Sequence, residues 1–271
     1  MGLVPSLVPR LVKAAAYAAD AVRRPATGLV ILIYHRVGGR SPIKVDLPID
    51  TFSAQMEALA ASGSVMALDE AVDALGRGED LTGSTVITFD DGTSDFVSDA
   101  LPVLDRFQIP ATLYVATKFV DEQIEFPDRG APTTWADLRD AMGTGLVSIG
   151  SHTHSHALLD RLEPSSIADE LDRSIDLIGE HLGVDARHFA YPKALAPSAA
   201  AEHEVRSRFR SAALAGTRAN PVATDVFRLW RSPVQTTDTA AFFRRKAAGG
   251  MRLEDDLRQL VNRRRYQGAS A

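Results

Sequence analysis

Alternating strand and helix patterns predict an α/β fold, a distorted (β/α) barrel with about seven parallel strands. Two observations carry that prediction. Short β-branched or apolar runs recur between longer helical stripes through most of the chain, and polar residues suited to chemistry gather at the ends of those runs. A length of 271 residues with an apolar share of 45% suits one large domain of this type.

The elements follow in order. Residues 1–27 read as an N-terminal amphipathic helical segment: Leu3 to Pro9 is followed by an Ala-rich stretch carrying Lys13, Asp20, Arg23 and Arg24. Residues 28–250 form the barrel, beginning with the apolar strand Leu29 to Tyr34. Gly, Pro and charge mark 38–50 as a loop. From Thr51 to Leu59, Phe52, Met56 and Leu59 share one helix face. Thr85 to Phe89 is a strand; Asp95 to Phe107 is a helix with Phe96, Ala100, Val103 and Leu104 as its stripe. Ala111 to Val115 is the next strand, 121–133 a second loop, and Leu146 to Ile149 another strand. Pro164 opens a helix from Ser165 to Leu182, striped by Ile167, Leu171, Ile175 and Ile178. His188 to Tyr191, Ser211 to Leu214 and Phe227 to Trp230 complete the strand set, and 251–271 is a C-terminal helix with a basic tail.

Composition removes several classes of function. With 30 basic and 35 acidic residues the net charge is −5, and no basic stripe recurs, so nucleic acid is not an expected partner. The cluster Arg263-Arg264-Arg265 reads as a solvated helix end. Zero cysteines exclude thiolate metal sites and disulfides, which leaves His, Asp and Glu as metal ligands. No run is long enough to cross a bilayer, and residues 3–24 lack a clean apolar core with a small-residue cleavage site. A cytoplasmic location is the expectation, with weak membrane-surface contact through residues 3–24 as the alternative.

Four strand ends carry the chemistry. His35 follows Tyr34; Asp90 and Asp91 follow Phe89; Ser151-His152-Thr153-His154-Ser155-His156 follows Ile149-Gly150; Tyr191-Pro192-Lys193 closes a further strand. Two carboxylates at the tip of a buried strand need a cation or a proton-transfer role. His152 and His156 are four apart, a spacing that on a helical turn aims both imidazoles at one divalent ion. Two neutral imidazoles and a carboxylate leave coordination positions open, the pattern of a catalytic metal. His154 is expected to assist from behind the ligands or to face solvent.

The Thr-Phe-Asp-Asp-Gly run at 88–92 and the His-Thr-x-Ser-His run at 152–156 resemble the two metal-site motifs of the polysaccharide deacetylases, the NodB-type carbohydrate esterases. The resemblance covers about residues 28–235. It implies a NodB-type barrel in which Asp91, His152 and His156 hold one divalent metal, zinc first, with Co, Ni, Fe or Mn as alternatives. By the same resemblance Asp90 is the general base, and a carboxylate bound to the cation is not free to take a proton, which agrees with that division.

Most members take the general acid from a C-terminal Leu-x-His motif, whereas no histidine follows His203 here. His35 resembles the N-terminal histidine of the circularly permuted branch, which includes poly-N-acetylglucosamine deacetylases; that implies His35 as the acid, a satisfied core histidine being the other reading. The third family motif corresponds to Phe189-Ala190-Tyr191-Pro192-Lys193-Ala194. Ala190 stands where the base-orienting arginine would be, and Lys193 where the aromatic with the oxyanion N–H would be. Arg231 is the candidate to supply the missing guanidinium to Asp90. Trp230 and Tyr191 form either a sugar-stacking wall or core packing.

The implied activity is metal-dependent removal of acetyl groups from N-acetylhexosamine units of a polysaccharide or its precursor, with water activated at the metal as nucleophile. Two alternatives remain at this level: an amidohydrolase acting on a small non-sugar amide, or a catalytically silent carbohydrate-binding barrel.

Overall fold

The computed structural model describes residues 7–22, 26–194 and 197–257. Helix α1 (Leu7–Val22) precedes strand β1 (Val30–Tyr34), and two short strands, β2 (Arg36–Val37) and β3 (Asp46–Leu47), pair beyond it. Helices α2 (Ile49–Ser62) and α3 (Leu68–Gly76) lead to β4 (Thr85–Phe89). A wide helical turn at Phe96–Ala100 runs into α4 (Leu101–Phe107), then come β5 (Ala111–Val115), α5 (Thr117–Asp121), α6 (Trp135–Gly143) and β6 (Val147–Ser151). After α7 (Pro164–Leu182) the chain continues through β7 (His188–Ala190), α8 (Ala199–Arg208), β8 (Ser211–Ala215), β9 (Leu229–Pro233) and α9 (Ala240–Ala247), and residues 252–257 are helical.

Seven strands close a parallel barrel in the order β1-β4-β5-β6-β7-β8-β9, and the seam between last and first is set by Ile31 opposite Arg231. Alternation along each strand then sorts the side chains. Outward-facing Leu32, Ile87, Phe89, Leu113, Val115, Ile149, Phe189 and Leu214 pack with the helices in one apolar layer. Inward-facing Ile31, Val86, Tyr114, Ala190, Ala213 and Leu229 form a second core, which also takes Leu68, Ala71 and Leu75 of α3. Helix α3 therefore plugs the N-terminal mouth of the barrel and leaves the C-terminal rim for chemistry. His188 inside β7 ties that plug down, with Nε2 3.0 Å from Asp69 and Nδ1 2.8 Å from the Ser211 hydroxyl.

The predicted strands are all present, with shifted ends. β6 runs on to Ser151, β7 stops before Tyr191, and β9 begins at Leu229 and reaches Pro233. The segment 38–50 is more ordered than its Gly and Pro content suggested. Buried Asp46 accepts hydrogen bonds from the Gly39 and Ser41 backbones, and β3 and the start of α2 lie within it. The C-terminal tail beyond 257, including Arg263, Arg264 and Arg265, and residues 1–6 and 23–25 of the amphipathic segment, including Arg23 and Arg24, lie outside the described residues.

Candidate active site

The backbone turns sharply after Asp90, and both carboxylates come to the same imidazole, with Asp90 Oδ2 3.9 Å and Asp91 Oδ1 3.7 Å from His152 Nε2. Asp90 N–H still donates to the Tyr34 carbonyl at 3.1 Å, as a continuation of the sheet. Asp91 then takes φ +78° and Gly92 φ +101°, the latter a conformation that favours glycine. The Asp91 carbonyl accepts from Ala116 N–H at 2.9 Å, which fixes the turn against the end of β5.

Asp90 points into the barrel mouth and is 5% exposed. There it meets the fully buried Arg231 guanidinium, which reaches up from the middle of β9 and binds both carboxylate oxygens, at 2.6 and 2.9 Å. The missing guanidinium predicted at Arg231 is thus supplied from the strand beside β1, while Ala190, at the position of the expected arginine, lines the barrel interior. Burial alone would raise the Asp90 pKa, but Arg231, then His152, outweigh it and hold the carboxyl down at about 2.

Arg231 is itself gripped by groups that the sequence reading did not single out. Thr88 Oγ1 lies 3.2 Å from the guanidinium, and the Tyr114 ring lies beneath it with 4.9 Å from Cζ to the ring centroid. Tyr114 fits inside the barrel only because residue 150 is glycine. A Cβ there would lie 2.6 Å from the Tyr114 ring and 2.8 Å from the His188 carbonyl. Thr88 was visible inside the acidic motif; Tyr114 carries no local signal of its role.

His152 follows β6, and its Nδ1–H donates to the Ala190 carbonyl at 2.7 Å. A carbonyl can only accept, so Nδ1 carries the proton and the Nε2 lone pair faces the aspartates. His152 Nε2 lies 3.7 Å and His156 Nε2 3.5 Å from Asp91 Oδ1. The two imidazoles are brought together without the helical turn that their spacing suggested. Residues 152–157 form an irregular loop in which Thr153 (φ +65°) and His156 (φ +61°) are left-handed, and this double turn, not a helix, aligns the rings. The carbonyls of Thr153 and His154 accept N–H groups from the start of α5, and both oxygens of Glu170 on α7 accept from Ser155, from its N–H at 2.8 Å and its hydroxyl at 2.6 Å. Glu170 also went unread, since nothing near it in sequence marks it. His154 turns away to Thr117 Oγ1 at 3.0 Å.

The donor set fits a divalent ion. The three ligand atoms of Asp91, His152 and His156 lie within 4.8 Å of one another. Ligand atoms about 2.0–2.2 Å from one zinc ion stand roughly 3–3.6 Å apart, which the two contacts to Asp91 match within a few tenths. Both imidazoles are disposed to be neutral. Burial lowers His152, and burial together with the neighbouring His152 and Lys193 pushes His156 down to about 3 against the pull of Asp91 and Asp90. Neutral imidazoles and a carboxylate are the donors that Zn, Co, Ni, Fe or Mn accept.

The remaining predicted site residues divide. His35, directly after β1, lies near enough to both aspartates that its positive charge would lower their pKa values. Its Nδ1 is buried with no hydrogen-bond partner among the described residues. Lys193 is exposed on the rim, with its charge felt by His156. Tyr191 and Trp230 are not brought to the cluster. Tyr191 points outward from the barrel into the layer under the helices, edge-on to Phe189 at 5.0 Å, and burial pushes its phenol pKa up. Trp230 alternates with inward Arg231 and so faces outside, where Arg218 covers its ring at 4.3 Å and the other wall of the cleft is Asp20 and Arg252. Tyr191 is thus buried among packing neighbours, and Trp230 is half-buried on the outer side of β9.

Comparison with known proteins places this geometry. The family model described as polysaccharide deacetylase matches residues 78–209. YxkH of Bacillus subtilis (strain 168) is 28% identical over 166 residues, covering 60% of this chain and 56% of that protein. The poly-beta-1,6-N-acetyl-D-glucosamine N-deacetylase of Escherichia coli (strain K12) is 35% identical over 82 residues, 27% of this chain and 12% of that one. The chain therefore spans about half the length of the first relative and a small part of the second. In fold, the structure of IcaB from Ammonifex degensii superposes with a TM-score of 0.69 at 24% identity, over 83% of this chain and 97% of that one.

Proposed function

We propose that the chain, whose residues 78–209 match the polysaccharide deacetylase family model, removes acetyl groups from N-acetylhexosamine units of a polysaccharide or its precursor. One observation carries the reading: two separate strand ends, those of β4 and β6, converge to set Asp91, His152 and His156 within one ion's reach, beside a second aspartate locked to Arg231. A binding module has no need of that division between two adjacent carboxylates.

Asp91, His152 and His156 would hold the ion. When bound, it would supply a Lewis acid that polarises the acetyl carbonyl and lowers the pKa of the attacking water. Arg231 occupies both oxygens of Asp90, which keeps that carboxylate ionised and turned away from ligation. Asp90 then accepts the proton as water adds to the acetyl carbon. The Ala190 carbonyl holds His152 in the tautomer that offers Nε2. The amide nitrogen leaves only when protonated, since a free amide anion is far too basic at neutral pH, and His35 is the group on the rim placed to donate.

The test is acetate release from N-acetylglucosamine oligosaccharides by the chelator-treated protein reloaded with zinc or cobalt. Wild type should release acetate only with metal, and Asp90→Asn should bind metal yet lose activity by about 10²-fold or more. Equal release by wild type and Asp90→Asn, or full activity in chelator, would overturn the proposal.

A further inference from the structure

Helix α1 is turned inside out. Its charged residues Lys13 and Asp20 are 1% and 8% exposed, whereas Leu11, Tyr17 and Val22 are 63%, 46% and 88% exposed. Ala14, Ala15 and Ala18 share the outer face, so Leu11, Ala14, Ala15, Ala18 and Val22 make an unbroken apolar stripe at helical spacing. The inward charges are paired. Lys13 binds Asp238 and, at 2.7 Å, Glu254, while Asp20 accepts from Arg245 Nε at 3.0 Å and from Met251 N–H at 2.7 Å. The barrel thus satisfies the polar face that water satisfies in a solvent-exposed amphipathic helix, and the apolar face is left outward.

We propose that this face seats the protein on an anionic lipid surface, with α1 lying in the headgroup boundary. Charge selects that occupant. In sequence, Arg10 stands in the first turn of the helix, Arg23 and Arg24 follow it, and the half-exposed Leu257 is followed by Arg258, Arg263, Arg264 and Arg265 with no acidic residue, in a chain whose net charge is −5. The acidic residues between Leu253 and Leu257 are met by cations, Glu254 by Lys13, Asp255 by Arg218 and Asp256 by Arg252. Basic residues next in sequence to an apolar stripe suit an acidic headgroup layer. A second copy docking through the same stripe about a two-fold axis would instead bring like charges together. No described helix is long and apolar enough to cross a membrane, so the helix lies on the surface. Lys13 sits beside the segment after β9, and the far end of α1 leads into the start of β1, so α1 runs along the barrel flank and the active rim would open parallel to the lipid plane.

Flotation of the full chain with phosphatidylcholine vesicles, with and without phosphatidylglycerol, tests this. Wild type should float with the anionic vesicles, less so at high salt, and Leu11→Asp/Val22→Asp should lower binding about tenfold or more. Both side chains are exposed, so the far-UV spectrum should not change; Ala18→Glu repeats the test at a third outward position. Failure to float with anionic vesicles, equal flotation of wild type and both variants, or a wild-type dimer that the substitutions turn into a monomer would each overturn the proposal.

Discussion

Replacing Arg231 with methionine would leave Asp90 buried and unpaired at the mouth of a narrow barrel. Breaking a buried, doubly hydrogen-bonded ion pair costs roughly 3–5 kcal/mol, because the surviving charge loses its main compensation. Arg231→Met should therefore lower the urea midpoint at pH 7 sharply and abolish acetate release, whereas Arg231→Lys, which keeps the charge but not the fork, should recover most of the stability and little of the activity. Matching losses in both variants would show that charge alone is not what holds Asp90. The pairing itself was legible: Ala190 announced a vacancy, and Arg231 was the polar residue in an apolar strand run able to fill it. The aromatic neighbours were not legible in the same way. Tyr191 directly follows β7 and Trp230 lies near the start of β9, and each sits on the outward parity, which is set by register that no local composition reports.

At the scale of single elements, the 152–157 loop holds the candidate ligands by contacts that lie outside the motif. Two left-handed residues in six would leave His156 poorly fixed if the loop were free, yet Glu170 clamps Ser155 from α7 with both oxygens. Groups that orient a metal ligand from behind typically change metal affinity 10–100-fold when removed. Glu170→Ala should weaken cobalt binding by about that factor, and Glu170→Gln, which retains one acceptor, should fall between. Competition against a chromogenic chelator reads this without any substrate, and unchanged affinity in Glu170→Ala would mean that the loop holds its shape alone. Spacing made the two histidines recognisable, since a four-residue interval brings side chains together on a helix. It did not reveal the path, because a double left-handed turn closes the same interval. Helix α3 was unread for a related reason: its apolar residues Leu68, Ala71 and Leu75 serve the barrel mouth rather than a sheet face, so the helix–strand alternation gives no hint of them.

Across the whole molecule, the barrel is tied to its terminal helices by buried charge rather than by apolar packing alone. Lys246 Nζ reaches Asp238 and the Pro233 carbonyl, both at 2.9 Å, and Lys13 joins the same carboxylate from α1. An amphipathic N-terminal segment was expected from sequence, but which face turns inward depends on Asp238 and Glu254, more than two hundred residues away, and no local pattern carries that. Burial alone would raise the Asp238 pKa, yet Lys246 and Lys13 hold it below the ordinary carboxylate range. A carboxylate with a depressed folded-state pKa contributes stability that is complete above its unfolded value of about 3.9 and is lost as pH falls through the folded value. Lys13→Met keeps the bulk of the side chain but leaves two buried carboxylates sharing one ammonium. The Asp238 pKa must rise, so its protonation in acid relieves the variant while it weakens the wild type. The variant should accordingly be less stable by roughly 3 kcal/mol at pH 7, and the gap should narrow as pH falls below about 4. Urea unfolding across that range measures it, and a gap that stays constant with pH would mean that Lys13 fastens α1 by its hydrocarbon stem and not by its charge.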